Sequence, residues 1–398
     1  MKITSIVPYL FYPGCAKNLL FTRVETDEGI YGWGEGYVVQ GKEKAVFEYV
    51  KSIAPYLIGR SPFEIRHCGR ALFNDFTSRR SSCDFFSAWS SIEIAFWDII
   101  GKKLGQPVYN LIGGPSREYI RAYANGWYDI NFGGDDTPDG MADRAKRVKD
   151  MGFTAMKWDP FGRIPWRNDI SRKTEDWAVT CVRKIREAVG DNVDLLIEVH
   201  RRLAPYHAVR FAKRIAEYRP FWFEEPCLAD NIDLLTRVCG RIDMPVVSGE
   251  TKYTKEDFKE LFEHGAADII NPDICICNGI LGTMDIASMA EAYAVMVSPH
   301  NYNSTIIGLA ASIHVGAAVT NFIAAEYFLN VKPACDEIAI TAPKLEKGFF
   351  KLSSEPGLGV DIDMGKLLEH PYMELKREFP IKGVAHYYEE GPAPNDFV

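Results

Sequence analysis

The sequence predicts an α/β protein: a parallel (β/α) barrel behind an N-terminal α+β capping domain. Two patterns carry this reading. From about residue 121, eight short β-branched runs alternate with amphipathic helical segments, whereas before that point strands come first and helices follow. The length adds a third argument, because 398 residues exceed one ordinary core and suggest a large domain plus a smaller one. The expected division is a cap over 1–120, a barrel over 121–330 and a C-terminal segment, 331–398, that returns to the cap.

In the cap, residues 2–10 and 18–26 are apolar-rich runs joined through Pro13-Gly14, and DEGIYGWGEG adds a turn and a third strand. GWGEG is glycine-rich, but no G-x-x-G opens a helix after it, so a phosphate-binding loop is a weak reading. Helical periodicity dominates from about 44 to 105 and closes with SAWSSIEIAFWDIIGKKLG, a glycine stop followed by Pro107. The barrel strands are expected at IRAYAN, FTAMKW, VDLLIEV, FWFEE, PVVS, DIIN, VMVS and FIAAEY. Among the helices between them are TEDWAVTCVRKIREAVG, APYHAVRFAKRIAEY, NIDLLTRVCG, TKEDFKELFEHG and LGTMDIASMAEAY. Strict alternation of this kind favours a barrel over an open sheet.

Composition narrows the function. Hydrophobic residues at 47% and charged residues at 25% describe a globular chain, and a net charge of -8 argues against nucleic acid or an anionic membrane as partner. The opening MKITSIVPYLFYPG is broken by Pro8 and Pro13 and lacks a signal-peptide core. No run reaches the roughly 18 apolar residues of a membrane span. Nine scattered cysteines point to a reducing compartment, so a cytoplasmic location is expected. Cys275 and Cys277 form a C-x-C without the partners a metal site needs, and read as packing residues.

In such a barrel the chemistry sits at the C-terminal ends of the strands. The polar residues there are Lys157, Glu198, Glu224, Glu250, Asp273, His300 and Glu326. From Glu198 onward they follow one another at intervals of 26, 26, 23, 27 and 26 residues, one βα unit each, so they converge on one mouth. Taken singly, each acid reads as a rim or salt-bridging residue; the repeat spacing carries the other reading. Three converging carboxylates, with no Cys or His among them, suit a hard octahedral cation: Mg2+ before Zn2+, with Mn2+ as the alternative. Strand alternation turns His200 to the same face as Glu198, and Asp159 to the same face as Lys157. Asp273 can hold the His300 imidazole in one tautomer and raise its basicity. His67, His207, His264, His314, His370 and His386 fall on helices or in the tail and read as packing or surface residues.

This order of residues resembles the mandelate-racemase group of the enolase superfamily, in the mandelate racemase/muconate lactonizing enzyme family. SSIEIAFWDIIGKKLGQPVYNLIGG, FEEP, SGE, NPD with the later NGI, and EPGLGV match as well, over nearly the whole chain. The resemblance implies a (β/α)7β modified TIM barrel with an N-terminal cap, Mg2+ on Glu198, Glu224 and Glu250, and a homo-oligomer between dimer and octamer. The family's first ligand is commonly Asp, so Glu198 departs from the pattern while keeping a carboxylate. It further implies that Lys157 meets the substrate carboxylate as a cation and Glu326 as a hydrogen-bond partner.

Racemases of the group place a second Lys two residues after the first, and here Asp159 stands there, which weakens two-base racemisation. His200 resembles the extra His of aldonate dehydratases. AYANGWY and KWDPFG are similar to segments of gluconate-dehydratase-like members. The expected reaction is dehydration of a sugar acid, an aldonate such as gluconate or galactonate, to a 2-keto-3-deoxy acid. His300 takes the C2 proton and His200 either protonates the leaving C3 hydroxyl or orients Glu198. A 2-hydroxy-acid racemase or epimerase, and a catalytically silent sugar-acid binding protein, are the alternatives. The loops Phe11 to Asn18 and Asn74 to Phe86 are expected to close over the mouth, and Asn125, Trp127, Asp159 and Asn301 to contact substrate hydroxyls.

Overall fold

The computed structural model describes residues 1–15, 17–129, 132–161, 170–302, 304 and 306–375. His386, Gly162 of KWDPFG and the part of the C-terminal segment beyond 375 lie outside them. The elements run β1 (Ile3–Phe11), β2 (Leu19–Thr26), β3 (Tyr31–Gly36), α1 (Glu43–Leu57), α2 (Ile65–Ala71), a π-helical turn (Leu72–Phe76), α3 (Cys83–Leu104) and α4 (Val108–Leu111). Eight strands with seven intervening helices follow. These are β4 (Tyr119–Asn125), α5 (Pro138–Asp150), β5 (Ala155–Trp158), α6 (Arg172–Val189), β6 (Asp194–Glu198), α7 (Pro205–Ile215), β7 (Trp222–Glu224) and α8 (Ile232–Cys239). Then come β8 (Val246–Ser248), α9 (Lys255–Glu263), β9 (Ile269–Ile270), α10 (Gly279–Ala292), β10 (Met296–Val297), α11 (Ile307–Ala318) and β11 (Ala325–Phe328). That succession is (β/α)7β.

The described residues form two compact units. One holds Met1–Ala122, Glu250–Phe258 and Asn271–Leu375; the other holds Tyr123–Gly249 and Lys259–Ile270. In the first, β1, β2 and β3 make an antiparallel sheet on which α3 lies. Ile92, Ile94, Phe96 and Ile99 of α3 are fully buried, each worth roughly 1.5–3 kcal/mol. The glycines of GWGEG belong to this packing rather than to a ligand loop. A Cβ on Gly34 would stand 1.6 Å from the Ser91 carbonyl oxygen, so strand and helix backbones meet directly there. Gly105, in the left-handed conformation, ends α3. Residues after β11 bond to the same sheet and helix. Leu358 N donates to Asp98, and Asp361 accepts from the Tyr31 hydroxyl and the Trp33 indole.

In the second unit, strands pair in parallel from β4 through β9. β5 is buried along its whole length, as expected of a strand covered on both faces. Helix starts are marked by side-chain caps: Thr137 for α5, Ser171 for α6 and Asn231 for α8. Because the strands are in register, their last residues are neighbours, and Glu198 stands directly opposite Glu224. No helix among the described residues is long and apolar enough to cross a membrane.

Candidate functional site

In the second unit the apolar runs DLLIE and WFE each end on a buried carboxylate. Burying an ionised carboxylate costs several kcal/mol unless a partner compensates. Lys157, itself 2% exposed, supplies one, with Nζ 2.7 Å from Glu224 Oε1 and 3.7 Å from Glu198 Oε2. Beyond β6, His200 and Arg201 adopt left-handed backbone conformations, and the turn brings His200 N onto Glu198 Oε1 at 2.6 Å. The His200 ring goes elsewhere: Nδ1 lies 2.8 Å from Asp159 Oδ2. Arg202 Nη2 donates to the same oxygen at 2.9 Å, and Phe161 N donates to Asp159 Oδ1. Burial pushes the Asp159 carboxyl up, but Arg202 and His200 outweigh it and hold it below the ordinary value.

In the first unit, His300 and Asp273 form a second histidine–carboxylate pair, Nδ1 to Oδ2 at 2.7 Å. A carboxylate only accepts, so Nδ1 carries the hydrogen and Nε2 is the basic atom. That Nε2 lies 3.4 Å from Glu250 Oε2. Burial pulls the imidazole down, yet Glu250 and the hydrogen bond to Asp273 outweigh it and raise its pKa to about 9. Asn301 N donates to Glu326 Oε2, and its side-chain amide donates to the carbonyls of Ser304 and Glu326, so the chain after His300 is tied to β11. Glu35 of β3 fastens the same segment, since its Oε2 accepts from the Ser304 hydroxyl and from Gly308 N in the first turn of α11. Burial raises the Glu35 pKa to about 7 against those two bonds.

Glu198, Glu224 and Glu250 each offer a buried carboxylate oxygen, all within 4.8 Å of one another. Glu250 follows directly on Gly249, whose φ of 139° is a conformation glycine adopts without strain. Gly249 N and Ser248 Oγ both donate to Glu225 Oε1, which braces this turn. Three carboxylates against the Lys157 ammonium leave an excess of negative charge that a divalent cation neutralises. The all-oxygen donor set suits a hard ion such as Mg2+ or Mn2+. The residues present therefore fit a divalent metal.

Each residue expected to meet substrate hydroxyls also bonds within the protein. The Trp127 indole is fully buried and donates to the Lys157 carbonyl at 2.9 Å. Asn125 Oδ1 accepts from Gly126 N, Asn301 ties the chain after His300, and Asp159 serves His200. Sequence reasoning missed Arg202, Glu225 and Glu35. For Arg202 the signal was its place two residues after His200, and for Glu225 its place in FEEP. Glu35 belongs to the first 40 residues, and no spacing rule links it to a barrel strand end.

The chain matches two family models: mandelate racemase/muconate lactonizing enzyme, N-terminal domain, over residues 15–113, and enolase C-terminal domain-like, over residues 140–366. Among solved structures, a candidate dehydratase from Mesorhizobium loti is 32% identical, with 94% of this chain and 99% of that one covered and a TM-score of 0.87. A candidate dehydratase from Zymomonas mobilis ZM4 is also 32% identical, at 93% and 98% coverage and a TM-score of 0.86. A mandelate racemase/muconate lactonizing enzyme from Sulfitobacter is 30% identical, at 96% and 99% coverage and a TM-score of 0.88. The (β/α)7β barrel with its N-terminal cap, the buried acidic triad and these matches agree, and the chain belongs to the enolase superfamily, as an enzyme of the mandelate racemase/muconate lactonizing type.

Proposed function

We propose that this enzyme dehydrates a sugar acid to a 2-keto-3-deoxy acid by removing the proton beside the carboxylate. The observation that carries the reading is the His200–Asp159 pair. Asp159 stands where a two-base racemase has its second Lys, and it engages a second histidine instead. Likeness to candidate dehydratases supports the same class.

Glu198, Glu224 and Glu250 would hold Mg2+, with Mn2+ as substitute. When bound, the ion would supply a Lewis acid that stabilises charge developing on the substrate carboxylate. Lys157 adds a buried cation for that carboxylate, and Glu326 orients the segment bearing His300. An ion held by Glu250 would offset that carboxylate's pull on the imidazole, so that His300 Nε2 can take the C2 proton while Asp273 keeps Nδ1 protonated and the ring oriented. His200, fixed by Asp159, gives its proton to the departing C3 hydroxyl, and water leaves. The enol then tautomerises to the keto acid.

Two histidine–carboxylate pairs also suit a two-base epimerase, and the products separate the readings. Epimerisation puts solvent deuterium at C2 of a sugar acid without forming keto acid. Under the dehydratase reading His300→Asn and His200→Asn each lower turnover by about 10²–10⁴-fold, the range of general acid–base catalysis. Wild-type turnover by both variants on the true substrate would remove these roles.

A further inference from the structure

Lys17 is a buried cation that the proposed chemistry does not use. It lies in the loop between β1 and β2 and is 2% exposed. Its Nζ donates to the Val38 carbonyl at 2.6 Å, and stands 3.8 Å from the centre of the Tyr302 ring and 5.1 Å from that of Tyr37. Both rings adjoin the proposed base, with centroids 6.1 Å and 6.3 Å from His300. The ammonium is therefore within about 10 Å of the imidazole. Both tyrosines are partly exposed.

The charge is otherwise poorly matched. Burial lowers the Lys17 pKa to about 8, so the group is still charged at neutral pH. Among the described residues no carboxylate oxygen lies within 4.0 Å of it. The acids whose fields reach it are committed to other donors. Asp273 accepts from His300 and Cys275 N, Glu35 from Ser304 and Gly308, and Glu43 from Asn18 and Gly41 N. One carbonyl and two aromatic faces do not neutralise a buried ammonium, which normally is paired.

We infer that Lys17 receives a second carboxylate of the substrate, so that the substrate is a sugar diacid rather than a monoacid. The inference rests on the reading of the site as one for a sugar acid. With its reacting carbon at His300 Nε2, a hexose-derived chain would extend past the imidazole to Tyr302 and Lys17. A charge-assisted hydrogen bond here corresponds to about 10- to 100-fold in affinity.

The test is thermal shift with Mg2+ and paired acids, galactarate against galactonate and glucarate against gluconate, on wild type and Lys17→Gln. A retained shift with Mg2+ alone shows that the variant is folded. The expected result is that one diacid binds wild type about 10- to 100-fold more tightly than its monoacid, and that Lys17→Gln abolishes the preference. Equal binding of each pair by wild type, binding of none, or a preference that survives in Lys17→Gln would overturn the inference. Wild-type binding alone decides it should the variant not fold. Diacid binding without keto acid would sink the dehydratase reading and leave the Lys17 assignment intact.

Discussion

Asp273 has one task at the site, to hold His300 by Nδ1 at 2.7 Å so that Nε2 stays basic and aimed. Asp273→Asn places an amide against that nitrogen and removes the charge that favours the imidazolium. Its turnover is expected to fall about 10²–10⁴-fold in steady-state assays, with Mg2+ affinity by calorimetry unchanged. Gly249→Ala acts on the metal side instead. A Cβ at a φ of 139° costs about 1–3 kcal/mol, so the urea midpoint drops and Mg2+ binding weakens as Glu250 shifts. The carboxylates and His300 were legible in the sequence because each closes an apolar run at a repeat of about 26 residues. The pairing of His200 with Asp159 was not, because strand alternation says which side chains share a face and not which of them touch. Lys17 and Glu35 were invisible for a different reason: they act through tertiary contacts with residues some 270 positions away, which no local period encodes.

At the scale of elements, the strand and helix order from 119 to 328 was readable from periodicity, since parallel strands buried on both faces must be continuous apolar runs. What periodicity could not supply is how closely elements approach. GWGEG looked ambiguous as sequence; its glycines let β3 lie on the backbone of α3. Gly34→Ala puts a methyl group 1.6 Å from the Ser91 carbonyl and forces the two apart. A loss of at least about 3 kcal/mol is expected by urea unfolding. Unchanged stability would mean that β3 and α3 do not meet backbone to backbone at Gly34.

For the whole molecule, acid sensitivity has a definite source. His314 in α11 is buried, accepts from Tyr109 N through Nδ1 and stacks on the Tyr109 ring at 5.4 Å. Burial pulls its pKa from 6.5 to about 4. The folded state thus refuses a proton that the unfolded chain accepts. Its contribution is complete above pH 6.5 and is lost as pH falls toward 4, at about 1.4 kcal/mol per pH unit. Urea midpoints for wild type should decline across that window, while those of His314→Asn stay flatter. Metal acts in the opposite sense, since an ion held by Glu198, Glu224 and Glu250 binds only the folded chain and raises its stability.

Proton abstraction followed by loss of water at a divalent-metal site leaves a product that can be trapped. The most direct measurement offers sugar monoacids and diacids to the enzyme with Mg2+ and follows 2-keto acids as semicarbazones, with EDTA in parallel. Keto acid is expected from one or a few closely related acids, abolished by EDTA and restored by excess Mg2+. Deuterium entering C2 of such an acid with no keto acid formed would rule out dehydration, and keto acid formed equally in EDTA would rule out the metal.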